Sequence, residues 1–335
     1  MDKFKNIIIG FGKAGKTLAK YLAQHDETVL LIERSKQMYG GTCINVGCLP
    51  SKNLILNGQR GLDFTTAVNK RGEMTRQLRD KNYHMVADEP LATVWNGSAR
   101  FIDNYVLAVV MSDGTTKKVR GERIFINTGA VPNWPSIPGL EFGQRIFTSK
   151  EAMELKKQPK RLAIIGGGYI GLEFAGMFNS FGTHVTIFDQ HTRLLEREDP
   201  DIATEVVTDL TDAGIEIKPE TQLTQVKDNG EKVTLYYQQG DQTNTAEFDA
   251  VLVAVGRRPN ISSLGLENTD IALTNRGAIQ VDDHLRTTVQ NIWALGDVNG
   301  GPMFTYVSLD DFRIIIDQLF GKGNRSTAEY QLLHS

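Results

Sequence analysis

One local pattern occurs twice in this chain of 335 residues, over 5–33 and again over 161–189. In each copy a short apolar run leads into a turn spaced G-x-G-x-x-G, a helix-like stretch follows, and a second apolar run ends in an acid. This order is typical of a βαβ unit with parallel strands. The first glycine permits the tight turn and the third lets the helix pack closely on the strand. The repeat therefore predicts an α/β fold with two Rossmann-like units.

The turn and the acid of each copy have the chemistry to bind a dinucleotide. The second glycine lets the backbone approach a pyrophosphate, and the helix N-terminus offers free N–H groups to the phosphates. The acid can accept hydrogen bonds from ribose hydroxyls. The first copy supplies Gly10, Gly12, Ala14, Gly15 and Glu33. The second copy supplies Gly166, Gly168, Gly171 and Asp189. Two such sites predict two bound dinucleotides.

The only two cysteines, Cys43 and Cys48, follow the first copy. A pair so close and alone indicates chemistry between its sulfurs, and a cytoplasmic disulfide is more often catalytic or redox-sensing than structural. A structural staple and a metal site are the alternatives. A metal site needs more ligands, which no other Cys and no close His supplies, so we expect no metal. We therefore predict electron transfer, with FAD at the first unit and a nicotinamide dinucleotide at the second.

The residues after Cys48 suggest how its thiol is activated. Leu49 and Pro50 follow it, and proline suits the first turn of a helix. A thiol at a helix N-terminus has a lowered pKa, so we expect Cys48 to be partly ionised at neutral pH. Lys52 lies four residues on, on the same helix face, and its charge acts in the same direction. The alternative for Lys52 is a solvated helix residue.

Composition and charge exclude other classes of function. The net charge is -3 and no long block of one sign occurs, which argues against nucleic-acid binding. The first apolar run, at 7–9, is far too short to span a membrane, and no signal-peptide pattern surrounds it. We therefore expect a cytoplasmic protein that acts on a small molecule, with no nucleic-acid or membrane partner.

Breaks in the pattern suggest how the domains are arranged. A proline-rich connection over 132–138 and the segment 256–260 mark two boundaries. We predict a split FAD-binding domain, 1–145 plus 263–335, with a nicotinamide-binding domain, 146–262, inserted in it. Each domain is expected to have three layers. The final helix is expected from about Asp310 to Phe320, and the polar tail from Gly321 is expected to fray.

Several motifs together resemble one enzyme family. They are the segment 41–52, the two glycine-rich turns, Thr128-Gly129-Ala130, the segment 256–260 and Ala294-Leu295-Gly296-Asp297. In this order they resemble the class I pyridine nucleotide–disulfide oxidoreductases, the group of glutathione reductase, dihydrolipoamide dehydrogenase and mercuric reductase, over nearly the whole chain. Within that group, the segments 10–17, 38–43 and 304–311 are most similar to bacterial reactive-chlorine-resistance flavoproteins, which include hypothiocyanous acid reductases.

The resemblance implies a role for each matching residue. Cys48 would exchange electrons with the flavin, and Cys43 would attack the oxidised substrate. Lys52 and Glu173 would form a buried pair near the flavin edge that receives hydride, and Tyr169 would cover the nicotinamide pocket. The other implied FAD contacts are Gly41, Thr42, Lys52, Ala99, Thr128, Gly129, Asp297 and Thr305, and Gly256 would contact the nicotinamide nucleotide. The acceptor would be a disulfide, a reactive chlorine or hypothiocyanite-type oxidant, or a metal ion.

The sequence differs from the family in one respect. Family members carry a further C-terminal domain that forms the homodimer and supplies a catalytic His with a following Glu. None of the six histidines here, including His184 and His334, has that context. We therefore expect a chain that lacks the interface domain, which puts dimerisation and full turnover in doubt, because general acid–base help is typically worth roughly 10²–10⁴-fold.

Three questions stay open at this stage. Asp189 would repel a 2′-phosphate and favours NADH, whereas nearby Arg193 could accommodate that phosphate, so NADPH is possible. The chain could instead be an NAD(P)H oxidase or diaphorase with incidental thiols. It could also be a truncated, non-catalytic module that binds FAD and NAD.

Overall fold

The computed structural model describes residues 1–330 as a mixed α/β protein. The strands are β1 (Asp2–Ile9), β2 (Val29–Glu33), β3 (Ala92–Asp103), β4 (Val106–Met111), β5 (Thr116–Ile126), β6 (Ala130–Pro132), β7 (Ile146–Phe147), β8 (Arg161–Ile165), β9 (His184–Phe188), β10 (Glu216–Lys218), β11 (Thr221–Asp228), β12 (Val233–Gln239), β13 (Gln242–Phe248), β14 (Ala250–Val253), β15 (Arg257–Pro259) and β16 (Ile292–Ala294). The helices are α1 (Lys13–Ala23), α2 (Thr42–Asn45), α3 (Cys48–Gln59), α4 (Phe64–Ala87), α5 (Ser149–Ala152), α6 (Tyr169–Ser180), α7 (Pro200–Asp212) and α8 (Thr305–Phe320).

The first sheet is parallel at its centre. β3, β2, β1, β5 and β16 lie side by side in that order. The end of β1, Ile7–Ile9, is at most 4% exposed, as expected of a strand covered on both faces. β3 pairs with β2 as far as Asn96 and then with antiparallel β4 from Gly97. β4 also pairs with β5, so the later part of β3 belongs to an antiparallel meander.

The second sheet repeats this plan. Its strands β10, β9, β8, β14 and β7 are all parallel. An antiparallel sheet of β11, β12 and β13 accompanies it. The first sheet takes β1–β5 and then only β16, so the second unit is inserted in the first, as predicted. β6 and β15 pair with each other where the chain leaves and re-enters the first unit.

Two helices of the first unit pack against the second unit. Leu54 of α3 and Phe64 of α4 share one apolar cluster with Phe174 and Phe178 of α6. Because α3 begins at Cys48, this packing fixes the position of the cysteine segment relative to both units.

The C-terminal region differs from the prediction. α8 begins at Thr305, five residues before the predicted start, because Val307 and Ser308 are already buried. The tail from Gly321 is not frayed as far as residue 330: a short helical turn spans Thr327–Glu329, and the hydroxyl of Tyr330 donates a hydrogen bond to Asp311. His334 lies outside the described residues. Within 1–330, no helix combines the length and apolar character needed to cross a membrane.

Candidate functional site

The two glycine-rich turns have the same backbone geometry. Gly10 and Gly166 both have φ of +106°, a conformation that favours glycine. A Cβ on Gly10 would lie 2.2 Å from the carbonyl oxygen of Asn127, and one on Gly166 would lie 2.6 Å from that of Ala254. A Cβ on Gly168 would meet nothing within 4 Å. This open face fits the close approach of a pyrophosphate to the second turn.

Each terminal acid bonds to the turn of its own unit. Glu33 Oε2 accepts a hydrogen bond from the N–H of Phe11 at 3.0 Å, and Asp189 Oδ2 accepts one from Gly167 at 2.5 Å. Burial raises the pKa of Glu33. The acids therefore lie beside the turns, as the spacing predicted, and they can serve a bound ribose.

Asn127 fastens the first turn to a distant part of the chain, and sequence reasoning missed it. Its side chain is buried, and its Oδ1 accepts a hydrogen bond from the N–H of Gly15 at 2.9 Å. Its Nδ2 donates to the carbonyl of Leu295 at 2.7 Å. The sequence feature that could have revealed Asn127 is its position, directly after the buried end of β5 and directly before Thr128.

Other predicted contacts lie where the two units join. Thr128 Oγ1 donates to the carbonyl of Asn260 at 2.8 Å, and the N–H of Asn260 donates to Gly129 O at 2.9 Å. Gly256 is exposed, and its carbonyl accepts from the N–H of Asn133 at 2.9 Å. Ala99 lies in β3, where it pairs with Val109 of β4. Their roles as cofactor contacts stay predictions.

The cysteine segment lies against the first turn. Gly41 is so near that a Cβ on it would be 2.7 Å from the Cα of Gly12. Thr42 begins α2, which contains Cys43, and Cys48 begins α3; both cysteines are free thiols. The two elements therefore carry the sulfurs to the first dinucleotide turn.

Thr305 brings the start of α8 to the same point. Its hydroxyl oxygen is 3.9 Å from the sulfur of Cys48. Because Ser308, one turn on, accepts a hydrogen bond from the N–H of Ala14 at 3.3 Å, α8 also touches the start of α1. The sulfurs thus lie where α3, α8 and the first turn meet.

The negative charge of the reduced pair is held on Cys43. The pKa of Cys43 is lowered to about 6, mainly by a hydrogen bond from Cys48, and Thr305, Lys16 and the N–H of Leu49 contribute in the same direction against the cost of burial. The same hydrogen bond retains a proton on Cys48 and raises its pKa. The prediction of a lowered pKa for Cys48 is therefore wrong for the reduced pair, because Cys48 donates its proton in the hydrogen bond to Cys43 and is partly buried.

Lys52 and Glu173 do not form the buried pair that was expected. Lys52 is exposed, and no ion pair joins it to Glu173 within residues 1–330. Glu173 on α6 instead accepts a hydrogen bond from Ser51 Oγ at 2.8 Å. The physical reason is helical phase: Ser51, rather than its neighbour, faces α6. The bond joins α3 to the helix of the second turn.

Tyr169 stands beside a cleft next to the second turn. Its side chain is half-exposed, and its hydroxyl donates a hydrogen bond to Glu198. Its ring lies edge-on to Phe304, with centroids 6.1 Å apart. The cleft has a volume of about 350 Å³ and is lined mainly by Leu172, Glu173, Leu195, Ile202 and Val206. Tyr169 therefore lines this cleft, and its role in covering a nicotinamide pocket stays a prediction.

Asp297 lies in a short helical turn, Gly296–Asn299. Burial raises the pKa of Asp297, and nearby Arg257 opposes that rise. Asp311 holds the turn from beneath, because its Oδ2 accepts the N–H of Gly296 at 2.6 Å. Asp311 is fully buried and was not identified from the sequence.

The loop after Asp189 contains two basic residues, of which His191 contacts the carboxylate. His191 Nδ1 lies 2.7 Å from Asp189 Oδ1. Arg193 donates to the carbonyl oxygens of Glu196 and Glu198, at 3.0 and 3.3 Å. The guanidinium is thus bonded within its own loop.

Comparison with known proteins identifies the family. The family model for pyridine nucleotide-disulphide oxidoreductases matches residues 4–311. The probable pyridine nucleotide-disulfide oxidoreductase RclA of Escherichia coli K12 is 46% identical over 327 residues, which cover 98% of this chain and 73% of the relative. Dihydrolipoyl dehydrogenase of Corynebacterium glutamicum is 32% identical over 99% of this chain and 74% of its own. The solved Cu(II) complex of the HOCl-induced flavoprotein disulfide reductase RclA from Escherichia coli matches with a TM-score of 0.94 and 45% identity, over 98% of this chain and 74% of the other.

The chain therefore belongs to the pyridine nucleotide–disulphide oxidoreductase family. The predicted fold, family and enzyme class are confirmed: this is an FAD-dependent oxidoreductase of the kind that uses NAD(P)H. The described region spans about three quarters of the RclA chain, since it covers 73% of that relative.

Proposed function

We propose that this protein passes two electrons from NADH through FAD to the Cys43–Cys48 pair and on to a small oxidised acceptor. The observation that best supports this is the position of α3. Its first residue, Cys48, meets Thr305 beside the first turn, and Ser51, three residues on, bonds to Glu173 on the helix of the second turn. The thiols therefore lie between the two dinucleotide sites.

The first turn and the residues around it fit FAD, because Gly10, Gly12 and Gly15 keep the turn tight against Asn127 and the start of α1, and the Glu33 carboxylate lies beside the turn, where it can accept hydrogen bonds from a ribose. Bound there, FAD would supply the two-electron chemistry that links hydride from the nicotinamide to the disulfide. We assign FAD binding to Gly10, Gly12, Ala14, Gly15, Glu33, Gly41, Thr42, Lys52, Ala99, Thr128, Gly129, Asp297 and Thr305. We assign nicotinamide dinucleotide binding to Gly166, Gly168, Tyr169, Gly171, Asp189 and Gly256. The FAD domain would comprise 1–145 and 263–335, and the nicotinamide domain 146–262.

The two cysteines have different roles. Reduction of the disulfide takes two electrons and leaves Cys48 as a thiol and Cys43 as the thiolate, because the pKa of Cys43 is lowered to about 6. The Cys43 thiolate attacks the acceptor, and Cys48 then displaces the reduced product and restores the disulfide. Each turnover consumes one NADH and delivers two electrons; with a disulfide acceptor it also consumes one proton and releases two thiols. Glu173 acts as a positioning residue, because its hydrogen bond from Ser51 joins α6 to α3, and Lys52 follows Ser51 on α3 as a proposed FAD contact.

NADH is the favoured donor. Asp189 lies where a ribose 2′-hydroxyl would bind, and a carboxylate there repels a 2′-phosphate. Arg193, which could have neutralised that phosphate, already bonds two carbonyl oxygens of its own loop.

The acceptor is a disulfide, a reactive chlorine or hypothiocyanite-type oxidant, or a metal ion. The similarity to a flavoprotein disulfide reductase induced by HOCl supports the oxidant class. We also propose a cytoplasmic location, where a reducible thiol pair serves redox chemistry, and a homodimeric assembly, as the family resemblance implies.

The test is an anaerobic titration of the FAD-loaded protein with NADH, repeated with NADPH. We expect NADH to bleach the visible flavin absorbance faster than NADPH does. We expect Cys43→Ser and Cys48→Ser to abolish acceptor reduction while bleaching persists. Turnover with oxygen or quinones that is the only activity, and is unchanged in both variants, would instead identify a diaphorase. Bound FAD that NADH never bleaches would identify a non-catalytic module.

A further inference from the structure

Lys16 is a buried cation close to the thiol pair. It lies on α1, directly after Gly15, and is 4% exposed. Its Nζ donates to the carbonyl of Gly40 at 3.3 Å and to Asn82 Oδ1, both neutral acceptors. A buried ammonium without a carboxylate partner is costly, so its presence needs a compensating interaction.

The ammonium lies where three elements meet. Gly40 precedes α2, the helix that contains Cys43, and Asn82 belongs to α4. Asn82 is itself held, because its Nδ2 donates to the carbonyl of Leu78 at 2.6 Å. Lys16 therefore ties α1 to α4 and to the segment that leads into Cys43.

α2 is held from the other side as well. Asn45, the last residue of α2, donates to the carbonyl of Gly41 at 2.9 Å. Arg79 of α4 donates to Asn45 Oδ1 at 2.9 Å. Cys43 is thus fixed in a segment that two cations from neighbouring helices hold in place.

We propose that Lys16 is a positioning residue, which holds the segment that leads into Cys43 and whose buried charge contributes to stabilising the Cys43 thiolate that attacks the acceptor. This inference rests on the proposed function, in which Cys43 is the outer thiol. It adds a residue outside the dinucleotide contacts and the cysteine segment.

The charges around Lys16 support this role. Burial is the main cause that lowers the pKa of Lys16 to about 8, Lys13 on the same helix lowers it further, and Cys43 raises it. Most Lys16 side chains are therefore charged at pH 7. The groups that face the site are Lys13 from α1, Cys43 and Cys48 from α2 and α3, Arg79 and Asn82 from α4, and Thr305 from α8. Two of these groups are thiols that can become negative, and because Cys48 retains its proton, Cys43 carries the negative charge opposite Lys16.

The test measures the pH dependence of alkylation of each cysteine in the reduced protein, with iodoacetamide as the probe and peptide mass mapping as the readout. We expect Lys16→Met to raise the midpoint for Cys43 by at least about 0.5 pH unit, which slows its alkylation at pH 6 about twofold. Asn82→Asp should also raise the Cys43 midpoint, because a carboxylate bonded to Lys16 Nζ offsets the positive charge that Cys43 experiences.

Lys20→Met is the matched control. Lys20 lies one turn further along α1, with a side chain 40% exposed and a weak pair to Glu89, and its loss should leave the Cys43 midpoint unchanged. If Lys16→Met does not fold, Asn82→Asp carries the test. A midpoint for Cys43 that is unchanged or lower in the folded variants overturns the proposal. Alkylation needs no NADH, so this failure is distinct from a failure of flavin bleaching, which would refute the proposed function instead.

Discussion

Asp311 shows how a single buried residue supports the proposed flavin site. Its carboxylate is fully buried and accepts hydrogen bonds from the N–H of Gly296 and the hydroxyl of Tyr330. Burial raises the pKa of Asp311 to about 6, from an ordinary value of 3.8, although both hydrogen bonds favour the ionised form. The turn that carries Asp297 is therefore held by a carboxyl that is costly to ionise.

This cost predicts a specific pH dependence. Between pH 3.8 and about 6 the folded protein binds a proton at Asp311 that the unfolded chain does not, so the free energy of unfolding falls as pH rises through that window. The Asp311→Asn variant has no carboxyl to ionise at this position, so its free energy of unfolding does not fall for this reason. We expect the stability of the variant relative to the wild type to increase by up to about 3 kcal/mol between pH 4 and pH 7, as measured by urea unfolding.

Asp317→Asn, on the same helix, is a control of opposite sign. The backbone N–H of Arg325 is the main cause that lowers the pKa of Asp317, so this carboxylate stabilises the fold above its ordinary pKa of 3.8. The variant should therefore lose stability relative to the wild type as pH rises towards 3.8, and its relative stability should change little from pH 4 to pH 7. A relative stability of Asp311→Asn that stays flat from pH 4 to pH 7 would show that Asp311 ionises without penalty.

Which residues could be identified from the sequence depended on how far apart the interacting residues are. Cys43, Cys48 and the turn glycines belong to short motifs whose meaning lies in local spacing. Lys16 bonds a partner 66 residues away, and Asn127 bonds one 168 residues away. A lysine beside a glycine-rich turn and an asparagine at a strand end have many ordinary explanations until the fold brings their partners together.

At the scale of elements, the third glycine of each turn lets a helix pack closely. A Cβ on Gly171 would lie 2.0 Å from the carbonyl oxygen of Gly166, whereas one on Gly176 in the same helix would meet nothing within 4 Å. We expect Gly171→Ala to destabilise the protein by about 1–3 kcal/mol and to weaken NADH binding. Gly176→Ala should stabilise it by about 0.5–1 kcal/mol, because alanine is the better helix former.

Urea unfolding and NADH titration of both variants provide the measurement. Equal effects on stability would mean that the turn of the second unit tolerates a side chain at Gly171, against the geometry described above. Gly176→Ala should leave NADH binding unchanged, since Gly176 lies on the second turn of α6, away from the glycine-rich turn.

The existence of the helices and strands was predicted better than which face of a helix is buried and where each helix begins. Strong periodicity and the glycine spacing revealed both βαβ units and the insertion. The side chain on α3 that faces Glu173 was missed by one residue, Ser51 in place of Lys52, because helical phase cannot be fixed before the neighbouring helix is known. The predicted start of α8 was too late in the sequence. The first turn of this helix contains the polar residues Thr305 and Ser308, which interact with distant residues, Cys48 and Ala14.

At the scale of the whole molecule, the cysteine segment is part of the first unit but packs against the second. α3 and α4 come from the first unit but pack in the apolar cluster of the second. This placement is not visible in any one motif, since it depends on how the inserted unit docks. It explains how one short cysteine segment could receive electrons that enter at the second turn.

The most direct test counts thiols per NADH. Oxidised, FAD-loaded protein is mixed anaerobically with one equivalent of NADH, alkylated, and analysed by peptide mass mapping. The account predicts that consumption of each NADH converts one disulfide into two alkylated cysteines, Cys43 and Cys48. If NADH is consumed while both cysteines remain in the disulfide, the electrons leave by another path and the account is contradicted.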